Sequence, residues 1–461
     1  MTPATQSSAS RTAQNAPRTA SEAGLVRALG TWSLAAAIIN VTIGGGIFRA
    51  PASPELTGRL GPATPVAYLV CAVAMGLIVL CIAEAASRVS LTGGPYAYVE
   101  VAFGRFVGYL VGVFLWVTAT TAFAAVATIF ADNAVRVVPA LSGPGGRAAL
   151  LAGVLLLFAA TNIVGVRQGA RLNVVAVVAK LLPLLLLIAA GIFVVDADNL
   201  RWTEAPRPAD IARASIFLIF VFAGIESALV PSGEVREPAR TVPRAVFIAM
   251  AGVTLIYLLI QIVAQGVLGP ALVGSPTPLT DAAGRVLGSW GASLLSAGVL
   301  LSTLGYLSGM MLAVPRALFA FGRDGFLPRA LASVHPRFHT PHVAITTQAV
   351  LVFALAMTSG FEALVILANL SVLTVYFACC VASWQLRRRD VRAEGTPFRA
   401  PAGAVVPALA CVVILGLLSS ITAREWATFG TLAAIAIVLY VATRGRRSRP
   451  TPALDGPQHI R

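Results

Sequence analysis

Ile43-Gly44-Gly45-Gly46-Ile47-Phe48, followed by Pro51 and Pro54, interrupts an apolar run that is otherwise long enough to cross a bilayer. Three consecutive glycines disfavour a continuous helix, each by about 1 kcal/mol relative to alanine. In lipid, the N–H and C=O groups freed by a break are costly unless they line a cavity or hold something. The competing reading is close helix packing through small residues. Contiguous glycines fit it poorly, because consecutive residues point around the whole helix. The stretch therefore reads as a discontinuous membrane helix.

A second interruption lies at Phe220-Val221-Phe222-Ala223-Gly224-Ile225-Glu226-Ser227-Ala228, where a glycine and a carboxylate share the middle of an apolar run. An ionisable residue inside the membrane is a functional candidate by default. A structural hydrogen bond from Glu226 to a neighbouring helix is the alternative. Two broken helices five spans apart suggest an inverted repeat with a solute bound between them at the midplane.

The rest of the chain supports a membrane setting. Of its 461 residues, 57% are hydrophobic and 11% charged, against about 25% charged in a soluble domain. The net charge of +15 comes from 34 Lys and Arg against 19 Asp and Glu. No basic surface outside the apolar runs is large enough to form a nucleic-acid groove. Twelve candidate spans run at about 32–52, 64–87, 103–130, 148–166, 172–195, 213–234, 244–268, 289–320, 342–358, 361–386, 402–420 and 426–443. Twelve crossings put both termini on one side, where 24 arginines fall against 9 on the other. That asymmetry places the termini in the cytoplasm and the chain in a bacterial inner membrane as a multi-pass protein.

Residues 1–29 lack the apolar core of a cleavable signal, so the first span is expected to act as its own insertion signal. This tail and 444–461 are expected to be disordered cytoplasmic segments around one transmembrane domain, 30–443. Arg387-Arg388-Arg389 reads as a topology anchor or a lipid-headgroup contact.

Lys180 is the only lysine, roughly 12 Å into span 5 at 1.5 Å per residue. A buried lysine can gain and lose a proton where arginine cannot; snorkelling or a structural pairing is the alternative. Glu84 is placed to reach the interface or to pair with Arg88 at i+4. Ser302 and Thr303 offer hydroxyls to a cation site or to helix packing. Cys71, Cys81, Cys379, Cys380 and Cys411 lie in apolar runs without metal-site spacing, as small core hydrophobes. His335, His339 and His342 share one loop with Pro336 and Pro341 and read as solvated; His459 is in the tail. No metal, cofactor or nucleophile–base pair is expected, and the chain does not read as an enzyme.

The glycine stretch resembles the Gly-Ser-Gly-Ile-Phe signature of the amino acid–polyamine–organocation (APC) permeases. Phe222-Ala223-Gly224-Ile225-Glu226 with Gly233-Glu234-Val235-Arg236-Glu237-Pro238-Ala239-Arg240 and Pro243-Arg244-Ala245 is similar to their span 6 and following loop. Gly93-Gly94-Pro95-Tyr96 and Arg316…Gly322-Arg323-Asp324-Gly325…Pro328 also match, so the resemblance covers about 30–445. It implies an all-α, LeuT-like five-plus-five inverted repeat with discontinuous helices 1 and 6. The repeats would be about 30–196 and 210–386, with helices 11 and 12 at about 402–443 outside the core.

The resemblance also implies a site. Amides of Gly44, Gly45 and Gly46, beside Ile43, would hold an amino acid's carboxylate, as helix N-termini favour anions. Carbonyls around Phe220 to Ala223, next to Gly224, would take the ammonium group. Phe220 matches an aromatic gate and Glu226 a conformationally coupled carboxylate of the arginine–agmatine antiporters. Two departures stand out: those antiporters have Trp at Phe220, and family members often have Ser at Gly45. Lys180 matches the lysine that replaces a sodium ion in sodium-independent members, bridging span 1 to span 8 near Gly44 and Ser302.

The expected function is secondary active transport of an amino acid, sodium-independent, with protons as the candidate coupling ion. An amine or polyamine carrier or an exchanger is the alternative. A sensor would need a soluble domain, and a channel a filter repeat. Membrane lipid is the expected surrounding, and the chain would work as a monomer or homodimer.

Overall fold

The computed structural model describes residues 30–89, 94–164, 170–202, 205–224, 238–392 and 397–443. Glu226, His459 and both tails lie outside the described residues. Within them, every regular element is helical. The first half comprises α1 (Thr31–Thr42), α2 (Thr64–Arg88), α3 (Pro95–Phe103), α4 (Arg105–Val137), α5 (Pro144–Val164), α6 (Ala170–Gly191) and α7 (Pro208–Phe222). The second comprises α8 (Pro238–Leu268), α9 (Pro278–Ala313), α10 (Pro315–Arg323), α11 (His342–Thr358), α12 (Phe361–Arg388), α13 (Val405–Leu418) and α14 (Ala423–Ala442).

Proline punctuates this order. Pro95, Pro144, Pro208, Pro238, Pro278 and Pro315 each open a helix, where the missing N–H is no loss. The apolar runs expected at 342–358 and 361–386 coincide with α11 and α12. The run expected at 289–320 differs at both ends. Gly288, at φ 73°, kinks α9 instead of starting it, and the helix stops at Ala313 before Pro315. Helix α4 runs past the expected 130 because its polar end is satisfied. Asn133 Nδ2 donates to the Ile129 carbonyl at 3.0 Å, and Arg136 pairs with Asp281 at 2.5 Å.

Seven stretches among the described residues are long and apolar enough to cross a membrane. They are 57–88, 105–137, 145–164, 244–272, 278–323, 361–388 and 423–442. Four shorter apolar helices accompany them, at Thr31–Asn40, Lys180–Gly191, His342–Thr358 and Val405–Leu418. Large apolar side chains such as Leu156, Phe247, Val412 and Val438 point outward. That is costly in water and favourable in lipid. The chain is a multi-pass membrane protein.

Two groups of helices meet at the centre. In one, α1 packs on α8, α8 on α2, and α2 on α7; in the other, α4 packs on α12, α9 and α11, and α9 on α6. The turn Gly45–Phe48 contacts α4, α7 and α9, so it sits where the two groups touch. Cys71, Cys81, Cys379 and Cys380 are buried and Cys411 is partly so, as expected of core hydrophobes.

Candidate functional site

Helix α1 ends at Thr42, and Ile43 leaves helical geometry with ψ 75°. Gly44 is extended, and a short 3-10 turn follows at Gly45–Phe48, then another at Ala50–Ala52. Of the three glycine amides, that of Gly44 turns back to donate to the Thr42 carbonyl at 2.7 Å. Gly45 and Gly46 begin the 3-10 turn, so their N–H groups are ones the turn itself does not use.

Both glycines are needed for close approach. A Cβ on Gly45 would lie 2.9 Å from both methyls of Val126 in α4, and one on Gly46 would lie 2.9 Å from the Phe220 ring. Real Cβ atoms essentially never come so close. Val126 therefore occupies the volume that a serine at position 45 would need. The departure from the family signature has a packing cause.

The second break falls at the expected place. Helix α7 stops at Phe222, Ala223 is extended (φ −65°, ψ 154°) and its N–H closes on the Ile219 carbonyl at 2.8 Å. Gly224 has φ 113°, a conformation L side chains rarely adopt, so glycine is required there. The last turn of α7 leaves its carbonyls at Phe220, Val221 and Phe222 without helical donors from the regular ladder. One break presents N–H groups and the other C=O groups.

Phe220 lies beside both breaks. Its ring lies against Gly46 and meets Phe361 edge-on, with centroids 6.1 Å apart. The Arg49 guanidinium sits 5.6 Å over the Phe361 ring, a cation–π contact. Arg49 also binds Asp132 at 2.5 Å, and Asp132 takes Arg147 at 2.5 Å on its other oxygen. Phe220, Phe361 and Arg49 thus form a continuous set of contacts beside the breaks.

Lys180 is buried, and its Nζ donates to the main-chain oxygen of Asn40, in the last turn of α1. The expected partners were Gly44 and Ser302; the bond runs instead one turn upstream of the glycines. Ser302 is buried on α9, and its neighbour Thr303 spends its hydroxyl on the Val299 carbonyl of its own helix at 2.7 Å.

Glu84 pairs with Arg88, as i+4 spacing suggested, at 3.0 Å and with both side chains wholly buried. It also binds Arg387 and accepts from the Ala400 N–H at 3.0 Å. Arg387, read from sequence as an anchor, is therefore part of a buried ion cluster. Tyr257 is a residue that sequence reasoning missed. Its Oη lies 2.8 Å from the Thr42 carbonyl and 2.9 Å from that of Val221, at both breaks. The signal was available: Tyr257, Gln261 and Gln265 recur every four residues, a polar stripe on one face of an apolar helix.

A sequence model of the amino acid permease family matches residues 29–448. The chain belongs to this family. Among its relatives is a methylthioribose transporter of Bacillus subtilis (strain 168), 27% identical over 90% of this chain and 93% of its own length. A branched-chain amino acid permease of the same organism is 25% identical over 94% and 96%. A serine/threonine exchanger, again from that strain, is 26% identical over 84% and 89%. The resemblance drawn from the glycine motif thus holds over nearly the whole chain. As an amino acid permease, the protein transports amino acids across a membrane.

Proposed function

We propose that this amino acid permease is a secondary active transporter working by alternating access, with a sodium-independent cycle. The observation that carries this reading is the Lys180 ammonium bound to the Asn40 carbonyl at the end of α1. A fixed cation there neutralises the negative end of a helix dipole beside the break. It supplies the charge that a coupling sodium ion would otherwise bring.

The substrate's carboxylate rests on the Gly45 and Gly46 amides, and its ammonium group on the carbonyls ending α7. An amino acid's two backbone charges match these opposite partial charges. Phe220, edge-on to Phe361, covers the site, and Glu226 is left the role of ligand or gate. The twelve apolar runs cross an inner membrane twelve times as a five-plus-five inverted repeat plus two helices, with both termini cytoplasmic. Protons are the candidate coupling ion; the serine/threonine exchanger among the relatives makes exchange the second reading.

Purified protein in liposomes tests this with a panel of radiolabelled L-amino acids. At least one should accumulate at equal rates in sodium and choline buffers. Counterflow with and without an imposed proton gradient then separates symport from exchange. Uptake that requires sodium would sink the reading.

A further inference from the structure

Tyr257 is wholly buried in the middle of α8, between the two breaks. Its hydroxyl lies within hydrogen-bond distance of two carbonyls, Thr42 at 2.8 Å and Val221 at 2.9 Å. Thr42 is the last residue of α1, and Val221 lies in the last turn of α7. Both belong to helix ends, where carbonyls lack a regular in-helix donor, and that of Thr42 also accepts from the Gly44 N–H at 2.7 Å. One proton serves both, so neither break can move away from the other without losing its share of that donor. In a low-dielectric interior such a loss weighs more than it does in water.

The ring is held as firmly as the hydroxyl. Phe222 meets it edge-on at 5.2 Å and Tyr68 at 6.4 Å. The same face of α8 continues the grip on span 1. Gln261, which accepts from Tyr68 Oη at 3.3 Å, donates to Thr57 Oγ1 at 3.1 Å, and Thr57 donates to the Pro51 carbonyl at 2.6 Å. Helix α8 therefore binds span 1 on both sides of its break and α7 at its end.

We propose that Tyr257 is a positioning residue that couples the two helix breaks through α8, so that the amide half and the carbonyl half of the substrate site move as one body. This rests on the transport reading above. A substrate with a carboxylate and an ammonium at fixed separation needs both halves in register. A tie made by one side chain outside the site would keep that register while the rest of the protein rearranges.

The test begins without substrate. Hydrogen–deuterium exchange is compared between the full chain and its Tyr257→Phe variant, which keeps the ring and removes the hydroxyl. Exchange of peptides covering 40–48 and 219–224 should rise together, by about tenfold, the scale for losing a buried hydrogen bond. Tyr68→Phe, which removes a buried hydroxyl that reaches Gln261 and neither break, should leave both peptides near the parent value. No change in Tyr257→Phe, a rise at one break only, or an equal rise in Tyr68→Phe would overturn the tie.

Uptake of radiolabelled L-leucine and L-threonine by proteoliposomes supplies the second readout. For whichever is carried, KM should rise about tenfold in Tyr257→Phe with a smaller change in maximal rate. An unchanged KM overturns the positioning role. If the parent protein carries neither, the transport reading is at fault for these solutes, and the exchange result still decides the tie.

Discussion

Two ion clusters stand at opposite ends of the helix bundle, and they are built differently. At the end shared by Arg88 and Arg387, Glu84 is wholly buried and takes two arginines and a backbone N–H. At the other end, Asp132 binds Arg49 and Arg147 with 15% of its side chain exposed. Beside it, Glu55 is 23% exposed and binds Arg59 and Arg213, and Arg213 reaches on to Glu425 in α14. A buried charge cannot lose its partner cheaply, whereas water and salt can replace one at a partly exposed site. The Glu84 cluster is thus suited to holding helices α2 and α12 together permanently. The Asp132 cluster is the more easily rearranged of the two, and Arg49 connects it to the edge-on pair Phe361–Phe220 beside the breaks.

The comparison is broken most severely at Glu84. Glu84→Ala leaves Arg88 and Arg387 without their carboxylate and should cost about 4 kcal/mol. Size-exclusion profiles and melting curves should show little folded protein; a normal melt would mean that the cluster is not structural.

A milder effect is expected at the other end. Asp132→Asn should lower stability by about 2 kcal/mol, less than Glu84→Ala, but change the initial uptake rate several-fold, because Arg49 is released from its anchor. If melting drops as far as in Glu84→Ala, the distinction between the clusters is lost.

The smallest effect is one of pH. Burial raises the pKa of Glu55, but hydrogen bonds and charges from Arg213 and Arg59 outweigh it, and the net shift is downward. A carboxylate with a lowered pKa stabilises the fold above its unfolded value and loses that contribution as pH falls through its folded value. Melting temperature should therefore be insensitive to Glu55 from neutral pH down to about pH 5 and fall only below the ordinary carboxylate range of about 4. Glu55→Gln should flatten that acid-side fall. An equally steep acid-side fall in the variant would remove Glu55 from the account.

Much of this was legible in the chain because its causes are local. The run Gly44 to Gly46 disfavours helix by itself, Gly224 with its neighbouring carboxylate marked the second interruption, and both breaks stand where the residues put them. Glu84 and Arg88 are one turn apart, so their pairing follows from helix geometry. What could not be read depends on distant segments. Arg387 lies 303 residues from Glu84, and nothing near Gly45 says that Val126 fills the space beside it. The depth of Lys180 was readable, but its partner depended on how α6 meets α1. Tyr257 falls between these cases. Its stripe with Gln261 and Gln265 is local, and only the target of that stripe is not.

The central claim is a sodium-free cycle in an amino acid permease, with Lys180 as its resident cation. The most direct measurement is initial uptake of the best-carried L-amino acid by proteoliposomes containing the parent protein or Lys180→Met, in sodium and in choline buffers. The account predicts equal uptake by the parent in both buffers. It also predicts a folded, membrane-inserted variant whose uptake is nearly abolished and no longer responds to a proton gradient. Parent uptake that depends on sodium, or a Lys180→Met variant that carries substrate at the parent rate, would contradict it.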